Sequence, residues 1–237
     1  MRYLLTALTL LLSFVLPLEV QAQTAVYSYR NGGEWTDPAS WTTDPTGQTL
    51  QPAGGAGVPI DNAVVRITTG SHIYLTQAVD KQNLSIEIEE GAELDLAEFT
   101  FQYPLAHLKG QGVLSIVSDT FPIVNGSSSF LDAAGGTVRF AVPTTSLVKL
   151  RNLPHSFCNL TFAGRAEYAY SLRFETRELL IHKNLTLEEE ATLLLGGIPN
   201  EPELHDLAAF LRKKLWVKGN LTVKPQAALR VIEGKLS

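Results

Sequence analysis

The chain has 237 residues, 45% hydrophobic and 18% charged, and its 19 basic against 24 acidic side chains give a net charge of -5. Ample apolar material for one elongated domain or two small ones excludes wholesale disorder. An acidic chain without a Lys/Arg cluster is a poor partner for nucleic acid or an anionic membrane surface, because affinity for phosphates comes from clustered positive charge.

The first element is a processing signal. Arg2 supplies a positive start, Leu4 to Leu18 is almost unbroken apolar sequence, and Val20-Gln21-Ala22 places small residues where a signal peptidase reads. The apolar stretch is short for a membrane helix, which needs about 20 residues. Residues 1–22 are therefore expected to be a signal peptide cleaved near Ala22, leaving a secreted or cell-surface protein with no membrane span.

Residues 23–62 are expected to be an N-terminal cap and lead-in loop. Trp35 and Trp41 stand here with Asp37-Pro38 between them. Two roles are open to the pair: a sugar-stacking platform, or a cover for the apolar end of a stack of repeats. The cover is the expected role.

From residue 63 to 237 the sequence is a ladder of short period-two strands. Val64–Ile67, Ile73–Leu75, Leu84–Ile88, Leu94–Leu96, Val113–Val117, Thr137–Val142, Leu160–Phe162, Leu179–Ile181, Leu185–Leu187, Leu193–Leu195, Leu215–Val217, Leu221–Val223 and Leu229–Val231 form the series. The phrase Asn184-Leu185-Thr186-Leu187, followed by Leu193-Leu194-Leu195, recurs as Asn220-Leu221-Thr222-Val223, followed by Leu229-Arg230-Val231. Asn159-Leu160-Thr161-Phe162 begins another copy, and Asn83-Leu84-Ser85-Ile86 with Leu94 and Leu96 reads as an earlier one. A unit of roughly 20–25 residues with two or three short strands buries its apolar face only by stacking on its neighbours. The expected fold is all-β, a right-handed parallel β-helix; a β-sandwich is the alternative. Between the last two copies, Leu204, Leu207, Ala208 and Leu211 make one apolar stripe, which predicts a short inserted helix at about 199–214.

Cys158 is the single cysteine, so stability must come from burial and backbone pairing. Cys158, Leu160 and Phe162 alternate, which predicts one strand with the thiol in the core. Glu87, Glu89, Glu93 and Asp95 alternate with apolar residues as outward positions do, and Glu188, Glu189 and Glu190 occupy a turn. Glycoside hydrolysis needs two carboxylates at a defined separation, and these read instead as solvated faces. Calcium between neighbouring turns is the one cofactor the acidic turns allow. His72, His107, His155, His182 and His205 have no paired spacing for zinc. No catalytic residue is assigned. Asn159, Asn184 and Asn220 form glycosylation sequons on paper and are read as turn residues that tolerate left-handed backbone.

The order Asn31-Gly32-Gly33-Glu34-Trp35-Thr36-Asp37-Pro38-Ala39-Ser40-Trp41, a Gly/Pro/Thr-rich loop, then Gly57-Val58-Pro59-Ile60-Asp61-Asn62-Ala63-Val64-Val65-Arg66-Ile67 resembles the start of the β-helical regions in large secreted surface proteins of Bacteroidetes. Leu108 to Ile116, Gly135 to Phe140 and Phe157 to Phe162 extend the resemblance over about Tyr27 to Val231. It implies type IX secretion cargo and a structural or adhesive module without catalytic activity. The alternative is a carbohydrate-binding or polysaccharide-degrading β-helix protein. Ile232 to Ser237 read as the start of another repeat, so the expected partner at the C-terminal end is the rest of a longer polypeptide or another protein, with polysaccharide as a further candidate.

Overall fold

The computed structural model describes residues 24–145, 147–150, 153–170, 178–195 and 214–231. The signal segment 1–22, the helix expected at about 199–214 apart from Lys214, His205, and Ile232 to Ser237 lie outside the described residues. Lys214 itself opens a strand.

In chain order the strands are β1 (Ala25–Ser28), β2 (Gly32–Glu34), β3 (Trp41–Thr42), β4 (Val64–Ile67), β5 (His72–Tyr74), β6 (Ser85–Ile88), β7 (Glu93–Asp95), β8 (His107–Gly110), β9 (Val113–Ile116) and β10 (Thr137–Ala141). They continue as β11 (Leu147–Leu150), β12 (Ser156–Phe157), β13 (Asn159–Ala163), β14 (Glu167–Tyr170), β15 (Glu178–Ile181), β16 (Leu185–Leu187), β17 (Thr192–Leu195), β18 (Lys214–Val217), β19 (Leu221–Val223) and β20 (Ala228–Val231). Two 3-10 turns, Pro38–Ser40 and Ser129–Leu131, complete the set. Among the described residues there is no α-helix.

Four sheets result, ordered β3-β1-β4-β6-β8, β2-β5-β7-β9-β10-β13-β16-β19, β11-β14-β17-β20 and β12-β15-β18. Apart from β3, every sheet runs in strict chain order, and the ladders are parallel. The exception is β3, which lies antiparallel on β1 with Ser28 opposite Trp41. A sandwich is built from antiparallel sheets, so these long parallel sheets overturn that alternative.

The register explains the repeat. Leu160 stands beside Leu185, and Leu185 beside Leu221; Leu193 stands beside Leu229. Because side chains alternate across a strand, matched register turns matched sequence into continuous rows. Ile73, Leu94, Leu114, Val138, Leu160 and Leu185 form one inward row, all buried. Phe140 stacks on Phe162 with ring centroids 5.8 Å apart and an interplanar angle of 18°. Tyr168 closes this cluster: buried, it donates from its hydroxyl to the Ala163 carbonyl at 2.6 Å and accepts from the Val142 amide at 2.7 Å. Burial pushes its pKa up to about 12.

One tight turn recurs at the corners. Thr68–Ser71, Glu89–Ala92, Glu188–Ala191 and Lys224–Ala227 each close with the fourth amide donating to the first carbonyl at 2.9 to 3.1 Å. Their third residues, Gly70, Gly91, Glu190 and Gln226, have φ of 81, 76, 64 and 64°, the left-handed conformation that such turns demand at that position. The same turn joins β4 to β5, β6 to β7, β16 to β17 and β19 to β20. This corrects the reading of the Asn83 phrase. It lies in the first sheet, between β4 and β8, and not in the eight-stranded sheet with Asn159, Asn184 and Asn220. The repeated phrase reports a strand-turn-strand unit, and that unit serves two different corners.

Three further expectations change. β1 and β2 already pair in parallel with β4 and β5, so stacking begins at Ala25, inside the segment 23–62 read as cap and loop. Phe157 to Phe162 is not one strand: β12 and β13 belong to different sheets, and Cys158 sits buried at the bend between them. Between β8 and β12 the Ser129–Leu131 turn replaces a strand, and fully buried Phe130 fills the core there. A Cβ on Gly136 would strike the Phe130 ring, so glycine leaves the space that the ring occupies.

Candidate functional site

Trp35 and Trp41 are 2% and 0% exposed. Their rings meet edge to face at 5.1 Å, Trp35 also meets Phe101 at 5.7 Å, and the Trp41 indole donates to the Trp35 carbonyl at 2.8 Å. Neither ring offers a face to a sugar, so the platform role is lost. The pair joins β3, at the outer edge of β1, to the core beneath the first strands.

The carboxylates project outward and spread along the sheets without converging. Glu34, Tyr74, Asp95, Ser115, Arg139, Thr161, Thr186 and Thr222 form one unbroken outward column across the eight-stranded sheet. Within and beside it, six acids have a partner from another repeat. Glu34 accepts hydrogen bonds from Thr36 and, at 2.5 Å, Thr76; Glu93 accepts from Ser115 at 2.5 Å; Glu89 accepts from the Thr69 amide at 2.9 Å. Glu87 pairs with Arg66 at 3.3 Å, Glu188 with Arg139 at 3.2 Å and Glu190 with Arg165 at 2.5 Å. Glu90 and Glu189 are exposed.

Hydroxyl donors hold the Glu34 carboxyl below the usual range, Thr36 first and Thr76 second, and the Thr46 amide and hydroxyl do the same for Asp44. A general acid in glycoside hydrolysis needs its pKa raised, so these two shifts run the wrong way. Among the described residues no group of three or more His, Cys, Asp and Glu converges. Calcium takes six to eight oxygens; in the acidic turns Glu89 faces the Thr69 amide and hydroxyl, Glu188 faces Arg139 and Glu190 faces Arg165.

His72 lies 4.0 Å from Asp95, and His107 Nδ1 lies 3.1 Å from the Ser127 hydroxyl. Ser28, Thr68 and Ser71 form a buried hydroxyl cluster satisfied internally and by the Ser28 and Arg30 carbonyls. It contains no base, so it fixes the first turn and activates no nucleophile.

A different feature emerges at the other end of the eight-stranded sheet. Asn184 Nδ2 donates to Asn159 Oδ1 at 2.9 Å, and Asn220 Nδ2 donates to Asn184 Oδ1 at 3.2 Å. The three sequon asparagines therefore form a side-chain ladder at the start of β13, β16 and β19. None has the left-handed backbone expected of it, whereas Asn62 and Asn83 do, with φ of 62 and 55°. Parallel register is the physical reason: it brings identical amides within bonding distance, as in stacked cross-β ladders. The signal for this was in the sequence, as the repeated Asn before each Leu.

The ladder ends on β19, the last strand of its sheet. Leu221 and Val223 are 48% and 45% exposed, whereas their register mates Leu185 and Leu187 are both 0%. Lys218 and Lys224 are exposed at this edge. No family model matches the chain, and neither does any curated protein or solved structure. Among the described residues, no helix is long and apolar enough to cross a membrane.

Proposed function

We propose that the chain is a right-handed parallel β-helix acting as a structural or adhesive module of an exported cell-surface protein, with no turnover of its own. The strict chain order of every parallel sheet supports the solenoid, because a chain that returns to each sheet one strand further along is a coil. Parallel crossovers are right-handed in about 98% of cases, which sets the hand. The apolar run at Leu4–Leu18 before Ala22 supports export, and the ordered phrases from Asn31 to Phe162 support the likeness to type IX secretion cargo of Bacteroidetes.

The observation that carries the functional reading is an unbroken inward apolar row, buried from Ile73 to Leu185, beside an outward column whose acids are engaged by hydroxyls and guanidinium groups of neighbouring repeats. Such repeats stabilise one another by stacking. Hydrogen exchange on the chain without its signal segment tests this: the amides of Leu94, Leu114, Leu160 and Leu185 should be protected together. Exchange at these positions as fast as in the loop residues 44–57 would remove the stack and the reading with it.

A second reading, polysaccharide binding, has one observation in its favour. Tyr74 is 40% exposed on the outward column with the His72 ring 6.0 Å away. Incubation with a polysaccharide panel, followed for retention, new reducing ends and unsaturated products, separates the two. Turnover abolished by changing Glu93, Asp95 or Glu189 at unchanged thermal stability would overturn the non-catalytic reading.

A further inference from the structure

We propose that Asn125 and Gly126 form a self-modification site, at which the chain converts the Asn125 amide into aspartate or isoaspartate without an enzyme, and that the fold directs this chemistry to one of two Asn-Gly pairs.

The sequence holds two such pairs, Asn31-Gly32 and Asn125-Gly126. The reaction is an attack by the glycine backbone nitrogen, once it has given its proton to solvent, on the side-chain carbonyl carbon of the asparagine. A nitrogen–carbon bond forms, the carbon–Nδ2 bond breaks and ammonia leaves, so that a cyclic imide replaces the amide. Water then opens the imide at either carbonyl. The product is aspartate or, where the main chain is rerouted through the side chain, isoaspartate. Glycine favours the attack because no Cβ hinders its nitrogen or restricts its backbone. The step further needs a glycine N–H without a partner and a backbone able to turn.

The two pairs differ on both counts. Gly32 opens β2, in register with His72, and its amide donates to the Tyr29 carbonyl at 2.8 Å. The Asn31 carbonyl in turn accepts from the His72 amide at 2.9 Å. Asn125 and Gly126 are both exposed and lie outside any strand, between β9 and the Ser129–Leu131 turn. Among the described residues the Gly126 amide donates to no acceptor, and the Asn125 side chain has no partner. Glycine itself is demanded here, because a Cβ would lie 2.0 Å from the Ala106 carbonyl oxygen and 2.9 Å from the His107 ring. No contact among the described residues demands the asparagine.

Isoaspartate adds one carbon to the main chain where the Asn125 amide donates to the Leu105 carbonyl at 2.9 Å and the Ser127 hydroxyl meets His107 at 3.1 Å. Conversion therefore loosens the corner that sets Val124 beside Leu105.

The full chain, aged in mildly alkaline buffer either folded or in denaturing urea, is mapped by mass spectrometry with fragmentation that separates isoaspartate from aspartate. In the folded chain Asn125 should convert about tenfold faster than Asn31, the factor that ~1.4 kcal/mol of protection represents. In urea the two should convert at comparable rates. Asn125→Gln should stay unmodified at that position with an unchanged melting temperature. After conversion the amides of Asn125 and Leu108, the latter bonded to the Ser127 carbonyl at 3.4 Å, should exchange faster, while those of Leu94 and Leu160 hold. Conversion of Asn125 no faster than that of Asn31 in the folded chain would overturn the site, and a rate ratio unchanged by urea would overturn its control by the fold. Unchanged exchange at Asn125 and Leu108 after conversion would overturn the loosening of the corner.

Discussion

Leu187→Asp tests the register at its most consequential point. Leu187 is fully buried in β16 between Phe162 and Val223, while its neighbour Thr186 belongs to the outward column. Truncating a buried leucine costs about 2–5 kcal/mol. Placing a carboxylate in the same space adds the cost of burying a polar group without a partner, roughly 1–3 kcal/mol in protein mutational data. The sum is about 3–8 kcal/mol, at the severe end of what single substitutions do. Thr186→Asp replaces an outward side chain and should stay within about 0.5 kcal/mol of the parent. For a chain of this size each kcal/mol moves the melting temperature by about 2–4 °C, so Leu187→Asp should lower it by at least ~6 °C and Thr186→Asp by at most ~2 °C. Hydrogen exchange localises the damage, which should centre on β13, β16 and β19, because repeats depend on their neighbours. Equal melting temperatures for the two variants, or a larger loss for Thr186→Asp, would refute the inward and outward assignment of the whole row.

Tyr168→Phe should cost about 1–3 kcal/mol, because the Val142 amide and the Ala163 carbonyl lose their partner in the core; urea titration at neutral pH measures it. The raised pKa of Tyr168 gives a pH test: its stabilisation is fully present below the unfolded value of 10.0 and is lost as pH rises through about 12. Urea midpoints of the parent should accordingly fall above pH 10, and Tyr168→Phe should flatten that decline; parallel declines would remove the buried phenol from the account. Gln226→Gly should stabilise the last turn by up to about 1 kcal/mol, since a side chain at φ 64° is strained where glycine is not; faster exchange of Ala227 and Ala228 in the variant would contradict it. Glu188→Gln should change stability by less than about 1 kcal/mol, as expected of a partly exposed ion pair with Arg139, and the difference should vanish at high salt.

Much of this fold was legible in the sequence because period-two alternation and register are properties of the chain itself. Every strand expected between Val64 and Val231 is present, and the match of Asn184–Leu195 to Asn220–Val231 is the register observed. Seven strands escaped notice, β1, β2, β3, β8, β11, β12 and β14, and three of them have physical reasons for doing so. β2 contains Gly32 and Gly33, which carry no side chain to alternate, and β12 has only two residues. β14 buries Tyr168, whose hydroxyl makes it look polar, beside charged Glu167. The Asn83 phrase misled because a tight turn flanked by two short strands looks the same whichever corner it serves. Trp35 and Trp41 were ambiguous because sequence gives aromatic spacing but not burial. The asparagine ladder was visible as a repeat, yet side-chain bonding between residues 25 and 36 apart becomes inferable only once parallel register is fixed.

The stack itself is tested most directly by distances along its outward column. Spin labels at Thr222 and, one at a time, at Arg139, Ser115, Asp95 and Tyr74 sample residues three, four, five and six strands away in the eight-stranded sheet. Parallel neighbours lie about 4.8 Å apart, so electron–electron resonance should return separations that rise in that order by about 4.8 Å per strand, from roughly 14 to 29 Å. Separations that fail to increase in the order Arg139, Ser115, Asp95, Tyr74 would contradict the parallel coil.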